Sequence, residues 1–102
     1  VEGAGGFYSP IANNSLNSDL AAGLGLPIII IVKDELGAIG QALLTINAVK
    51  SQKLQIACVV LNEILPNHLS NAEALRAYTE TPIIEYSNSR IESFCSEIES
   101  LI

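Results

Sequence analysis

Four consecutive isoleucines, Ile28 to Ile31, are entered through Pro27 and closed by Val32 and the charged pair Lys33-Asp34. An unbroken β-branched run leaves no polar face to turn toward water, so the segment reads as a central strand buried on both faces. Parallel sheets are the ones normally covered on both faces, and parallel strands need crossover connections, usually helices. The chain supplies the pattern for them. Ala38 to Gln52 reads as a helix carrying Leu43, Leu44, Ile46 and Val49, and Gln55 to Leu61 is a second apolar strand. Ser70 with Glu73 has the spacing of a capping box that opens a helix reaching about Glu80. Thr81 to Tyr86 is a third strand, and Ser89 with Glu92 is a second capping box. The last helix then carries Ile91, Phe94, Ile98 and Leu101 on one stripe. Upstream, Ile11 to Asn17 is polar and turn-rich and reads as a surface excursion. Ser18 is placed to cap a short helix from Asp19 to Leu24, which Gly23 and Gly25 stop.

Strands alternating with helices predict one α/β domain: an open parallel sheet with right-handed crossovers and helices on both faces. Ligands bind such sheets outside the carboxyl ends of their strands. That rule nominates four segments for one rim: Glu2 to Gly6, Lys33 to Gly40, Asn62 to Asn67, and Glu85 to Arg90.

The first of these has the most distinctive chemistry. Val1-Glu2-Gly3-Ala4-Gly5-Gly6 places a carboxylate and three glycines where a chain leaves a strand. Glycine backbone can approach a bound group closely, and its N–H groups can form a concave anion site. A carboxylate beside such a loop suits a hydrated Mg²⁺, a hard cation that takes oxygen ligands. A glycine-rich turn beside a solvated glutamate is the competing reading of the same residues.

Charge narrows the partners. Eleven acidic residues against five basic ones give a net charge of −6, and seven of the acids lie from Glu63 onward. Nucleic acids and anionic membranes both need basic patches, so neither is expected. Cys58 lies in an apolar run and reads as a buried reduced thiol. No metal-ligand spacing joins Cys58 or Cys95 to His68, the single histidine, which reads as a surface residue near a helix start. The longest apolar stretch, Leu26 to Val32, is too short to span a bilayer, and no charged segment with a cleavable apolar run opens the chain. A cytosolic protein is expected, and the triplet Asn13-Asn14-Ser15 is then a chance match to a glycosylation acceptor.

The opening segment through Pro10, Asp19-Leu20-Ala21, Leu24 to Val32, Leu36 to Thr45 and Val60-Leu61-Asn62-Glu63 together resemble dethiobiotin synthetase. They do so in the right order and spacing over about the first two thirds of the chain; from Pro66 onward the likeness rests on secondary-structure pattern. The resemblance implies a fold similar to P-loop NTPases, with this chain as the carboxyl-terminal part of one nucleotide-binding domain. It implies a homodimeric ligase that closes the ureido ring of dethiobiotin from 7,8-diaminopelargonic acid, CO₂ and ATP with Mg²⁺. Glu2 would then be a Mg²⁺ ligand, and Gly3, Ala4 and Gly5 would line the ATP and carbamate site. Asn62 matches an adenine-reading Asn, with Glu63, Ser87, Asn88 and Arg90 near the base. Leu36, Gly37, Ala38, Ile39 and Gly40 would receive the substrate's carboxylate tail across the dimer interface.

This chain departs from the family where Gly40 and Gln41 replace a usual Asn-His pair and where Glu85 to Asn88 replaces a Gly-x-x-Pro turn. It contains no G-x-x-x-x-G-K-[ST] segment, and Lys33, Lys50 and Lys53 stand at the wrong places for the family's catalytic lysine. The expectation is therefore a chain without the P-loop half, inactive alone, completed by the upstream half of the same enzyme. Two alternatives remain: a synthetase domain like that of the cobyrinate amidases, and a non-catalytic α/β dimerisation module.

Overall fold

A computed structural model describes residues 2–101. A short antiparallel hairpin, β1 (Pro10–Ala12) and β2 (Ser15–Leu16), is followed by α1 (Asn17–Leu24). The sheet proper follows: β3 (Ile28–Lys33), α2 (Ala38–Ser51), β4 (Ile56–Asn62), α3 (Asn71–Arg76), β5 (Ile83–Tyr86) and α4 (Ile91–Leu101). Its strands are parallel in the order β3-β4-β5, joined by helical crossovers, with helices on both faces. The α/β class predicted above is what the chain adopts.

The two faces have separate cores. Ile30 and Val32 of β3, Val59 and Leu61 of β4 and Ile83 of β5 pack against Ala42, Ile46 and Val49 of α2 and Leu75 of α3. On the other face Cys58, Val60 and Ile84 meet Phe94 and Ile98 of α4, with Tyr86 edge-to-face on Phe94 at 5.0 Å between ring centroids. Small residues explain the close approach of α2, since Ala38 and Ala42 let the helix sit down on the strands.

Several local expectations are corrected. β3 is not buried on both faces: among the described residues it has a neighbour only at β4, and Ile29 and Ile31 are 41% and 66% exposed. The polar stretch after Pro10 is the β1–β2 hairpin, turned at Asn14 in the left-handed region that asparagine tolerates. α1 starts at Asn17, with Leu16 in the cap position and its N–H donating to the Asp19 carboxylate at 2.8 Å; Ser18 is buried in the first turn. Ser70 is in the left-handed region and its side chain makes no cap bond, so the first capping box does not form. α3 also ends at Arg76, four residues short of Glu80, where the chain tightens through a Tyr78 N–H to Leu75 carbonyl bond. Before α4, the Ser89 hydroxyl lies 3.1 Å from that of Ser87. Of the α4 stripe, Phe94 and Ile98 reach the core while Ile91 and Leu101 stay exposed.

Candidate functional site

The carboxyl ends of the three strands are tied to one another. The Asp34 N–H donates to the Asn62 carbonyl and the Glu63 N–H to the Tyr86 carbonyl, each at 2.8 Å. These bonds carry the sheet's ladder one residue past each strand, so the loops leave from one rim. The loop after β3 is further held by two asparagines. Asn67 Nδ2 donates to the Asp34 carbonyl at 2.9 Å, and Asn71 Nδ2 donates to Asp34 Oδ1 at 2.8 Å and the Glu35 carbonyl at 3.0 Å. Asp34 and Asn71 are both buried, and each satisfies the other. Sequence reading missed this cluster, because Asn67 and Asn71 lie 33 and 37 positions from Asp34 and carry no local pattern with it.

The candidate residues on this rim stand as follows. Asn62 and Glu63 are half-buried at the end of β4, between the loops that follow β3 and β5. Ser87 is buried and Asn88 exposed; Arg90 pairs with Glu85 at 3.3 Å in a solvent-exposed contact. Lys33 pairs with Glu35 at 3.1 Å, equally exposed, and such surface pairs contribute little. Leu36 is 85% exposed at the loop tip. Gly37 follows at φ 93°, a conformation that suits glycine, and α2 starts at buried Ala38 with Ile39 half-buried and Gly40 open to solvent.

No hydrogen bond among the described residues joins the Glu2–Gly6 segment to those three loops. Instead the segment forms one wall of a cleft of about 720 Å³, whose other walls are Leu20 and Leu24 of α1 and the free edge of β3. Phe7 anchors the segment by packing against the larger core. Glu2, Gly3, Ala4 and Gly5 are all exposed on this wall.

The loop's own polarity is one-sided. The carbonyls of Ala4 and Gly6 accept from Asn17, that of Gly6 also from the Ser9 N–H at 3.1 Å, and that of Gly5 from the Ser9 hydroxyl. The N–H groups of Gly3, Ala4, Gly5 and Gly6 donate to nothing among the described residues. Gly5 and Gly6 reach this arrangement at φ 87° and 114°. A backbone with its carbonyls satisfied and its N–H groups free is suited to an anion.

No group of three or more His, Cys, Asp or Glu side chains among the described residues forms a metal cage. Magnesium at nucleotides is held by one or two carboxylates, phosphate oxygens and water. A lone exposed Glu2 carboxylate beside free backbone N–H groups fits that kind of shared ion. Cys58 and Cys95 are both free; burial pushes the Cys58 thiol above its ordinary value, so it has no place in this chemistry. No helix among the described residues is long and apolar enough to cross a membrane.

Comparison with known proteins adds to this geometry. A family model described as an AAA domain matches residues 1–85. The chain is 47% identical over its whole length to the ATP-dependent dethiobiotin synthetase BioD of Vesicomyosocius okutanii subsp. Calyptogena okutanii, covering 47% of that protein. It is 44% identical over its whole length to the protein of the same name from Ruthia magnifica subsp. Calyptogena magnifica, covering 48% of it. A third such synthetase, from Aromatoleum aromaticum, is 41% identical over 87 residues, 82% of this chain and 39% of that protein. The chain thus spans about half the length of the curated relatives it matches, on their carboxyl-terminal side.

Proposed function

The chain belongs to the AAA-domain family and matches the carboxyl-terminal half of dethiobiotin synthetases, and from that premise we propose that it supplies one wall of an ATP-dependent ligase site. The observation that carries the reading is the Glu2–Gly6 loop, which lines a cleft with one carboxylate and with N–H groups that have no partner among the described residues. Phosphoryl chemistry depends on positioning and charge neutralisation, and this loop offers both. The relatives are named ATP-dependent dethiobiotin synthetases, and the reaction proposed for this site is closure of the ureido ring of 7,8-diaminopelargonic acid with CO₂ at the expense of ATP.

The residues take these roles. Gly3, Ala4 and Gly5 donate backbone N–H groups toward the transferring phosphate and the carbamate. Glu2 shares a Mg²⁺ with the nucleotide; when bound, that ion neutralises phosphate charge. Asn62 and Glu63 read the adenine, bordered by Ser87, Asn88 and Arg90. Leu36 to Gly40 receives the substrate carboxylate in a homodimer, with backbone N–H groups standing in for the side chain lost where Gly40 and Gln41 replace the family's Asn-His pair. A cytoplasmic location agrees with this metabolism.

The remaining wall comes from the upstream half of the enzyme. The chain has no phosphate-cradling P-loop and no suitably placed lysine, and its relatives are about twice as long. The free edge of β3 is a ready seat for a further strand, because its outer N–H and C=O groups have no ladder partner among the described residues. The test is ATP-dependent ring closure by this chain alone and by the chain extended upstream to its relatives' length. Turnover by the extended protein and none by the 102-residue chain is expected; turnover by the short chain, or none by the extended one, would overturn the proposal.

A further inference from the structure

Asn17 ties two carbonyls of the cleft wall together through its side chain and a third, outside the wall, through its backbone. Its Nδ2 donates to the Ala4 carbonyl at 2.9 Å and to the Gly6 carbonyl at 2.7 Å, while its own N–H donates to the Ser9 carbonyl at 2.9 Å. The residue is about nine-tenths buried, and its Oδ1 has no hydrogen-bond partner among the described residues. That oxygen faces Gly3 so closely that a Cβ there would come within 2.9 Å of it. Flipping the amide would set Oδ1 against two carbonyls, so the donor end must face the loop. A buried acceptor without a partner is costly. An aliphatic side chain would avoid that cost, so the two carbonyl bonds are what the amide contributes.

We propose that Asn17 is a positioning residue for the anion-facing loop: by holding the Ala4 and Gly6 carbonyls it fixes the two peptide planes that flank the Gly5-Gly6 turn and turns the Gly5 N–H toward the cleft. The inference rests on reading that loop as the phosphate side of a nucleotide site. It also assigns a reason to Gly3, whose missing side chain is the space that Oδ1 uses. The peptide plane links the two effects, because fixing a carbonyl on one side directs the next N–H to the other. Asn17 therefore acts on an anion through the backbone, without touching it.

The test uses this chain, labelled with ¹⁵N, as wild type, Asn17→Ala, Asn17→Asp and Asp19→Asn. The amide-to-α-proton couplings of Gly5 and Gly6 report the loop's φ angles, and titration with inorganic phosphate reports the free N–H groups. Strand amides of β3 and β4 report folding in every sample. The expected wild-type result is fixed couplings and phosphate-dependent shifts confined to Gly3 to Gly6. Both Asn17 variants then average the couplings and weaken phosphate at least tenfold with the strands unchanged. Asp19→Asn, which alters only the start of α1, behaves as wild type. Unchanged couplings and phosphate affinity in both Asn17 variants would overturn the positioning role. Wild-type loop amides that ignore phosphate would overturn its premise, the anion reading itself, whatever the couplings show.

Discussion

Ile31 and Val60 are direct partners across the β3–β4 ladder, pointing to the same face of the sheet, yet Val60 is 5% exposed and Ile31 66%. Helix α4 explains the difference, because Phe94 and Ile98 cover β4 and β5 and stop short of β3. One half of this face is a finished core, and the other is an apolar surface next to an unpaired strand edge. Such edges template pairing with further chain.

The contrast sets the stability of the two positions apart. Ile31→Ala is expected to change the unfolding free energy by no more than about 0.5 kcal/mol, as for an ordinary surface position. Val60→Ala removes packed methyl groups from a closed core and is expected to cost about 1–3 kcal/mol. Denaturant titration of the two variants at equal protein concentration measures both, and equal losses would show that β3 is covered after all.

Self-association should respond to the same edge. Ile31→Lys places a charge on the open strand, a common natural device against edge pairing. The wild-type chain is expected to associate increasingly with concentration in sedimentation runs, and Ile31→Lys to stay monomeric. In the protein extended upstream, the same substitution is expected to destabilise, because the lysine is then buried.

The loop after β3 depends on Asn71. Asn71→Ala deletes the donor to buried Asp34 Oδ1 and to the Glu35 carbonyl, leaving a buried acceptor unsatisfied. A loss of about 1–3 kcal/mol is expected, with faster hydrogen exchange at Glu35 to Gly37 than in the β4 strand. Exchange that accelerates evenly across the chain would mean that Asn71 serves general stability and not this loop.

Cys58 makes stability depend on alkaline pH. Burial disfavours the thiolate, so the thiol's value is raised in the folded chain relative to the unfolded one. Below the unfolded thiol's ordinary value, about 8.5, both states hold the proton and the full stability is present. Above it the unfolded state releases its proton first, so stability falls as pH climbs toward the raised folded value. Denaturant midpoints at pH 7.5 and 10 are expected to diverge more in the wild type than in Cys58→Val. At pH 8, a thiol reagent is expected to modify exposed Cys95 quickly and Cys58 only on unfolding.

The strands and helices were legible because the β-branched runs and amphipathic spacings that form them are local. The run Ile28 to Ile31 showed that a strand was there, but its burial on both faces depends on a neighbour the run does not encode. The glycines of Glu2 to Gly6 marked that loop as a candidate anion site. Its one-sided polarity was not legible, because Asn17 is 11 to 14 residues away and its neighbours read as surface turn. The Ser70–Glu73 spacing failed for a similar reason: Asn67 and Asn71 bind the loop after β3, and Ser70 takes up a left-handed turn between them.

Glu2 and the glycines behind it are proposed to face the metal-bearing end of a nucleotide. That placement is tested most directly by calorimetric titration of ATP, with and without Mg²⁺, into the protein extended upstream to its relatives' length, as wild type and Glu2→Gln. Wild-type affinity is predicted to rise on adding Mg²⁺ and that increment to be lost in Glu2→Gln, with metal-free binding unchanged. An equal Mg²⁺ increment in both proteins would contradict the account.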